Sequence, residues 1–258
     1  MMIVSLRAAF LRILISITLL VSAATFIGCS SYAAPGRAAD FEAMGVKRDQ
    51  LTDFAISDAL AKQPLATLPC GIAAVRIQAP GYRSSTAEGW GAGKYSIITT
   101  RDIEKDEQFD RLGNMPMVKG IAPINRLLLP EQLNSDMELR KAAAVLHADM
   151  LLIYTLDTTF NTRDEVAPLT VITLGLSPTQ VVHVTSTASA ILIDTRNGYL
   201  YGYAEATEKT NQLASEWTQT AAIDAARRRA EERTFDKLTH ELEKSWGKVV
   251  TTYASAQR

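Results

Sequence analysis

Cysteine, histidine and long apolar runs are all scarce in this chain, and each scarcity narrows what it can be. It has two cysteines and three histidines in 258 residues. A disulfide framework is therefore excluded, and the histidines His147, His183 and His240 lack the i, i+4 spacing of a helical zinc site. Excess charge of either sign is absent too, with a formal net charge of −1, so nothing in the balance suggests nucleic acid as a partner. Beyond residue 28 no stretch approaches the roughly 20 apolar residues of a membrane-spanning helix. The sequence holds no Gly-x-Ser-x-Gly nucleophile elbow. Gly89-Trp90-Gly91-Ala92-Gly93-Lys94 approximates a P-loop but has Glu88 where glycine is required and Tyr95 where Ser or Thr must stand. Neither nucleotide, metal nor other cofactor is expected.

The one long apolar run lies at the start. Arg7 and Arg12 precede Ile13 to Ile27, and small residues follow, which reads as an export signal. The run closes on Phe26-Ile27-Gly28-Cys29. That ending resembles the lipobox of bacterial lipoproteins, with Phe26 in place of the usual leucine. The resemblance implies cleavage after Gly28, lipidation of Cys29 and a durable anchor, because several acyl chains hold where one does not. Ser30 stands where aspartate commonly marks retention in the inner membrane, so the resemblance implies the outer membrane of a Gram-negative cell, facing the periplasm. The expected division is a signal over 1–28, a flexible tether over 29–48 and one α/β domain over 49–258. With Cys29 lipidated, Cys70 is the remaining thiol and reads as a small buried apolar side chain.

Periodicity and turn residues divide the domain. Thr52 to Lys62 reads as a short helix stopped by Pro64, and Gly71 to Ala79 as a buried strand. Pro80 to Lys94 reads as a long glycine-rich loop, followed by a strand over Tyr95–Thr100 and a helix over Asp102–Leu112. Ile121–Leu129 suggests a strand confined to an edge by Pro123. Ser135 and Glu138 fit a capping box ahead of Leu139, Ala142, Ala143 and Leu146 on one helix face. Met150–Leu156 is apolar on both faces, as a central strand should be. Leu169–Leu176 reads as a strand turned by Ser177-Pro178 and paired with Val181–Ile193, whose even positions Val184, Ala188, Ala190 and Leu192 are apolar. Asp194 to Gly198 should turn the chain into a strand over Tyr199–Thr207. A closing helix from about Ser215 to Lys248 carries two apolar stripes, and one straight helix cannot turn both to a single surface.

Two phrases carry a family resemblance: Ala142-Ala143-Ala144-Val145-Leu146-His147-Ala148-Asp149 before Met150–Tyr154, and Ala190 to Gly198 before Tyr199–Gly202. They resemble the α/β domain shared by the TolB N-terminal domain, the curli-secretion lipoproteins and lipoprotein activators of peptidoglycan synthases. The resemblance covers about residues 70–247. It implies an α/β (α+β) fold, a mixed sheet packed by helices with a long C-terminal helix, and a non-catalytic adaptor or assembly factor. The alternatives are a subunit of an oligomeric secretion channel and an envelope hydrolase; fold alone does not choose among them.

Two surface features stand out. Tyr82, Arg83 and Trp90 sit in the glycine-rich loop and are residue types common at interface hot spots, although Trp90 and Tyr95 could equally fold back onto the core. Arg227-Arg228-Arg229 looks basic, but Asp224–Arg228, Arg227–Glu231 and Arg228–Glu232 are i, i+4 pairs, which reads as a solvated, self-compensated helix face.

Overall fold

The computed structural model describes residues 36–39, 52–164, 180–214 and 219–254. A mixed sheet with helices on both faces confirms the α/β class. Its order is β4 and β3 sharing one edge of β1, then β6, β7 and β8. The strands are β1 (Cys70–Gln78), β3 (Ser96–Ile98), β4 (Val118–Pro123), β6 (Met150–Asp164), β7 (Gln180–Asp194) and β8 (Leu200–Ala214). β4 runs parallel to Cys70–Ala74 and β3 antiparallel to Arg76–Gln78, so each takes half of the same edge. β2 (Ala92–Gly93) and β5 (Gln132–Leu133) form a separate two-residue parallel pair. The helices are α1 (Asp53–Ala61), α2 (Asp106–Gly113), α3 (Asp136–Val145) and α4 (Gln219–Tyr253).

Alternation along β1 explains why it is buried on both sides. Cys70, Ile72 and Ala74 join Phe109 and Leu112 of α2 and the C-terminal half of α4 in one core. Ala73, Val75 and Ile77 join Leu139, Ala142 and Ala143 of α3 in the other. β6 does the same with Met150, Leu152 and Tyr154 against Leu151 and Ile153. The expected capping box is present: Ser135 N–H donates to Glu138 Oε2 at 3.0 Å, and Met137 N–H to Ser135 Oγ at 3.2 Å. β1 brings Cys70 into the core, where burial and nearby Asp149 push its thiol up to about 12, well away from reactivity.

Several expectations change. β7 pairs with β6 on one side, Met150 opposite Asp194 through Asp164 opposite Gln180, and with β8 on the other; Leu169–Leu176, expected to pair with it, lies outside the described residues. The strand expected over Ile121–Leu129 stops at Pro123, and Arg126–Leu128 forms a 3-10 turn. The helix expected from Asp102 begins at Asp106, because Asp102 and Glu104 are drawn inward to Arg76. Gly36–Ala39, within the stretch read as a tether, lie against the domain: Ala79 N–H donates to Arg37 O, and Ala39 N–H to Thr155 Oγ1. The packed residues therefore include Gly36–Ala39.

Past Tyr154 the sheet becomes one-sided. Val182, Val184, Ala188 and Ala190 of β7 are buried, with α4 laid across β7 and β8. The opposite face carries Thr155, Asp157, Thr159 and Asn161 of β6 beside Thr185, Thr187 and Ser189 of β7 and Glu205, Thr207 and Lys209 of β8. The alternation read from Val182 onward is thus present and extends to all three strands.

Candidate functional site

The glycine-rich loop is folded tightly, and its glycines have a steric explanation. A Cβ on Gly89 would stand 2.4 Å from Ser96 Oγ, and one on Gly93 (φ 116°) would stand 2.4 Å from Leu133 O. Trp90 exchanges backbone hydrogen bonds with Ile97, and its half-buried ring packs on the α3-side core. Tyr82 is buried, its hydroxyl accepting from Arg76 Nη2 at 3.4 Å. Arg83 alone of the three candidates is exposed, paired with Glu88 at 2.6 Å. Tyr95 is also buried and donates to Ser135 O at 2.8 Å.

Beneath residues 82–88 lies a cluster of ionised side chains that the sequence reading placed in solvent. Arg227 is 0% exposed and Glu231 2%, and Arg227 Nη1 donates to Glu231 Oε2 at 2.6 Å. Arg227 also reaches Asp224 at 3.1 Å and Thr86 Oγ1 at 3.2 Å. Thr158 Oγ1 donates to the other oxygen of Glu231 at 2.9 Å. Arg76, 1% exposed, donates to Asp102 at 3.0 Å and Glu104 at 3.4 Å, and Tyr154 OH donates to Glu104 at 3.1 Å. Thr86 joins the two arginine centres, since its hydroxyl donates to Asp102 Oδ2 at 2.5 Å. The solvated-face reading therefore fails at Arg227 and Glu231, because the loop and β6 close over them. It holds at Arg228, which is exposed.

Burial sets the electrostatics of the cluster. Desolvation raises the Glu231 carboxyl above its ordinary range despite Arg227 and Arg76. Desolvation works against the Arg76 charge, but Glu104 leads the anionic neighbours that outweigh it and hold the guanidinium ionised. Arg76 Nε is buried with no hydrogen-bond partner among the described residues. Shifted carboxyls of this kind suit general acid–base chemistry when a substrate can reach them. Here each carboxylate is occupied by an arginine or a hydroxyl of the same chain, which suits a clamp holding the loop to α4.

The two aspartates of the resembling phrases have structural work. Asp194 Oδ2 accepts from Leu65 N–H at 2.9 Å, Ala66 N–H at 2.7 Å and Tyr201 OH at 2.8 Å, while Oδ1 accepts from Arg196 N–H. Asp149 accepts from Gly71 N–H at 3.2 Å and pairs with Arg196 at 3.2 Å. Both fasten the segment preceding β1 and its first residues to the β7–β8 turn. Among the described residues no group of three or more His, Cys, Asp or Glu is arranged to hold a metal, and no helix is long and apolar enough to cross a membrane. His183 pairs with Asn211 at 2.8 Å and His240 with the Asp236 carbonyl at 2.8 Å.

No protein-family model and no curated protein matches the chain. Among solved structures it is similar to a DUF330-family protein from Xanthomonas campestris, at 14% identity over 73% of this chain and 88% of that one, with a TM-score of 0.33. A neuraminyllactose-binding hemagglutinin homolog from Helicobacter pylori is 9% identical over 76% and 95%, TM-score 0.37. A lipoprotein from Neisseria meningitidis is 12% identical over 61% and 94%, TM-score 0.28. Likenesses this low assign the chain neither a family nor an activity.

Proposed function

We propose that the protein is a lipid-anchored cell-envelope component that works by non-covalent contact with other envelope proteins, as an adaptor or assembly factor. The anchor rests on the apolar run that ends in Gly28-Cys29, and Ser30 directs the lipidated chain to the outer membrane, facing the periplasm. One observation favours contact over catalysis: the buried titratable groups around Arg76 and Arg227 are spent on one another and on holding the loop at residues 82–88. Arg83 and the half-buried Trp90 remain the accessible candidates for partner contact on that loop, whereas Tyr82 would act by supporting it.

Replacing Cys29 with Ser tests the anchor. Palmitate labelling and outer-membrane fractionation should both be lost; unchanged fractionation would overturn the reading. Affinity capture from envelope extracts, compared with an Arg83→Glu variant, tests the contact role.

The secretion-channel reading has one observation in its favour. β6, β7 and β8 are each 15 residues long, beyond the roughly 9–11 a membrane strand needs, and their faces differ in polarity. Against it, the Ala and Val face is already buried with α4 across it, so a lipid-facing ribbon would require that helix to leave. Ion conductance across a planar bilayer would support the channel over the adaptor.

A further inference from the structure

A groove of about 630 Å³ opens where the C-terminal end of α2 meets the last turns of α4. Its volume falls in the roughly 300–1,000 Å³ range of ligand sites. Its apolar lining includes Met115, Trp246 and Val250, and its charged lining is Asp110, Arg111 and Glu243. Trp246 is fixed there, because its indole N–H donates to Pro116 O at 2.7 Å. None of these groups belongs to the loop or the buried cluster described above.

The charge around the groove favours a cation. Arg111 is the single basic residue of the lining, and it is already held by Asp236 at 3.2 Å, Thr239 at 2.6 Å and Glu243 at 3.4 Å. That leaves Asp110 without an ion-pair partner among the described residues and Glu243 sharing one guanidinium with Asp236. Glu243 Oε1 is buried with no hydrogen bond, only the longer contact to Arg111. Two helix C-termini also converge here, Asn114 capping α2 and Val250 in the last turn of α4, and both ends present the negative pole of a helix dipole. Lys244, on the same stretch of α4, pairs with Glu241 and does not line the groove.

We propose that this groove binds a basic side chain of a partner polypeptide. The ammonium or guanidinium would meet Asp110 and Glu243, and the aliphatic stem would lie on Met115, Trp246 and Val250, the arrangement by which long cationic side chains cover apolar surface. The inference rests on the contact role proposed above and gives it a surface and a partner chemistry.

Calorimetric titration of the full chain in detergent micelles tests it with two peptides, acetyl-Leu-Lys-Leu-Leu-Lys-Leu-amide and its glutamate counterpart. The lysine peptide should bind at least about tenfold more tightly. Asp110→Asn with Glu243→Gln should bring the two within about twofold. Gly247 supplies an independent variant: it lines the groove and a Cβ there meets nothing within 4 Å, so Gly247→Leu places added bulk at the groove and improves helix propensity. That variant should bind neither peptide. Equal binding of both peptides, binding of neither, or an unaffected Gly247→Leu variant would overturn the proposal. Spermidine binding as tightly as the lysine peptide would also overturn it, replacing the polypeptide by a free polycation. These titrations need neither the lipid nor a native partner, so their failure leaves the Cys29→Ser test of the envelope reading standing.

Discussion

From Phe235 onward α4 turns Phe235, Leu238, Leu242, Trp246 and Val249 into an apolar core, whereas its earlier turns seat Ala226, Arg227, Ala230, Glu231 and Thr234. Both halves are buried, by opposite chemistries. The C-terminal half gains its stability from area removed from water, at about 25 cal/mol per Å². The N-terminal half buries ions, for which desolvation cancels much of the attraction and the cost of an error is larger than the gain from the pair. The two apolar stripes noted in the sequence are reconciled without a break: the helix is continuous from Gln219 to Tyr253, and its halves meet different partners. One half meets β8, β7 and α2, the other the 84–87 loop and the middle of β6 and β7.

Removing one member of the buried pair should have the largest effect. Arg227→Ala strands Glu231 in the interior and should cost roughly 3–5 kcal/mol, read as a lower urea midpoint. Leu238→Ala in the apolar half should cost roughly 2–5 kcal/mol, as expected for a cavity at a fully buried leucine. If Arg227→Ala costs no more than an exposed substitution, the contrast between the halves collapses.

A smaller effect separates the two halves by pH. The folded carboxyl of Glu231 holds its proton more tightly than the unfolded value of about 4.5. As pH rises past that value, the unfolded chain releases the proton first. The contribution of this group to stability therefore falls between the unfolded value and the raised folded one, then levels. Glu231→Gln should remove that segment of the stability–pH curve, measured by urea unfolding across the window; an unchanged curve would place the titration elsewhere. Thr86→Ala should cost about 1 kcal/mol by removing the hydroxyl that links Arg227 to Asp102. Arg228→Ala, one position along and exposed, should stay within about 0.5 kcal/mol.

Legibility followed the reach of each interaction. The Ser135 capping box, the Asp194–Gly198 turn and the alternation of β7 are written within a few residues, and all three are present in the fold. The pairing of β7 with β8 follows from the turn between them, whereas its pairing with Met150–Asp164 has no local signature. Arg227 and Glu231 were misread for a related reason. An i, i+4 ion pair has the same spacing whether water or protein surrounds it, and the burial is conferred by Thr86 and Thr158, far away in the chain. The aspartates Asp149 and Asp194 were visible as parts of recurring phrases, but their reason, backbone donors at Gly71, Leu65 and Ala66, was not.

The sequence by itself determined the α/β class, the two-faced burial of β1 and of the start of β6, and the apolar seam of α4, because side-chain period and local capping act over one or two turns of chain. Tertiary structure alone decided which strands pair, which of three adjacent arginines is buried, and where α2 and α4 leave a groove. Those outcomes depend on surfaces brought together from distant parts of the chain, as far apart as Thr86 and Arg227, and the solvation of a charge is fixed only when the last of those surfaces closes over it.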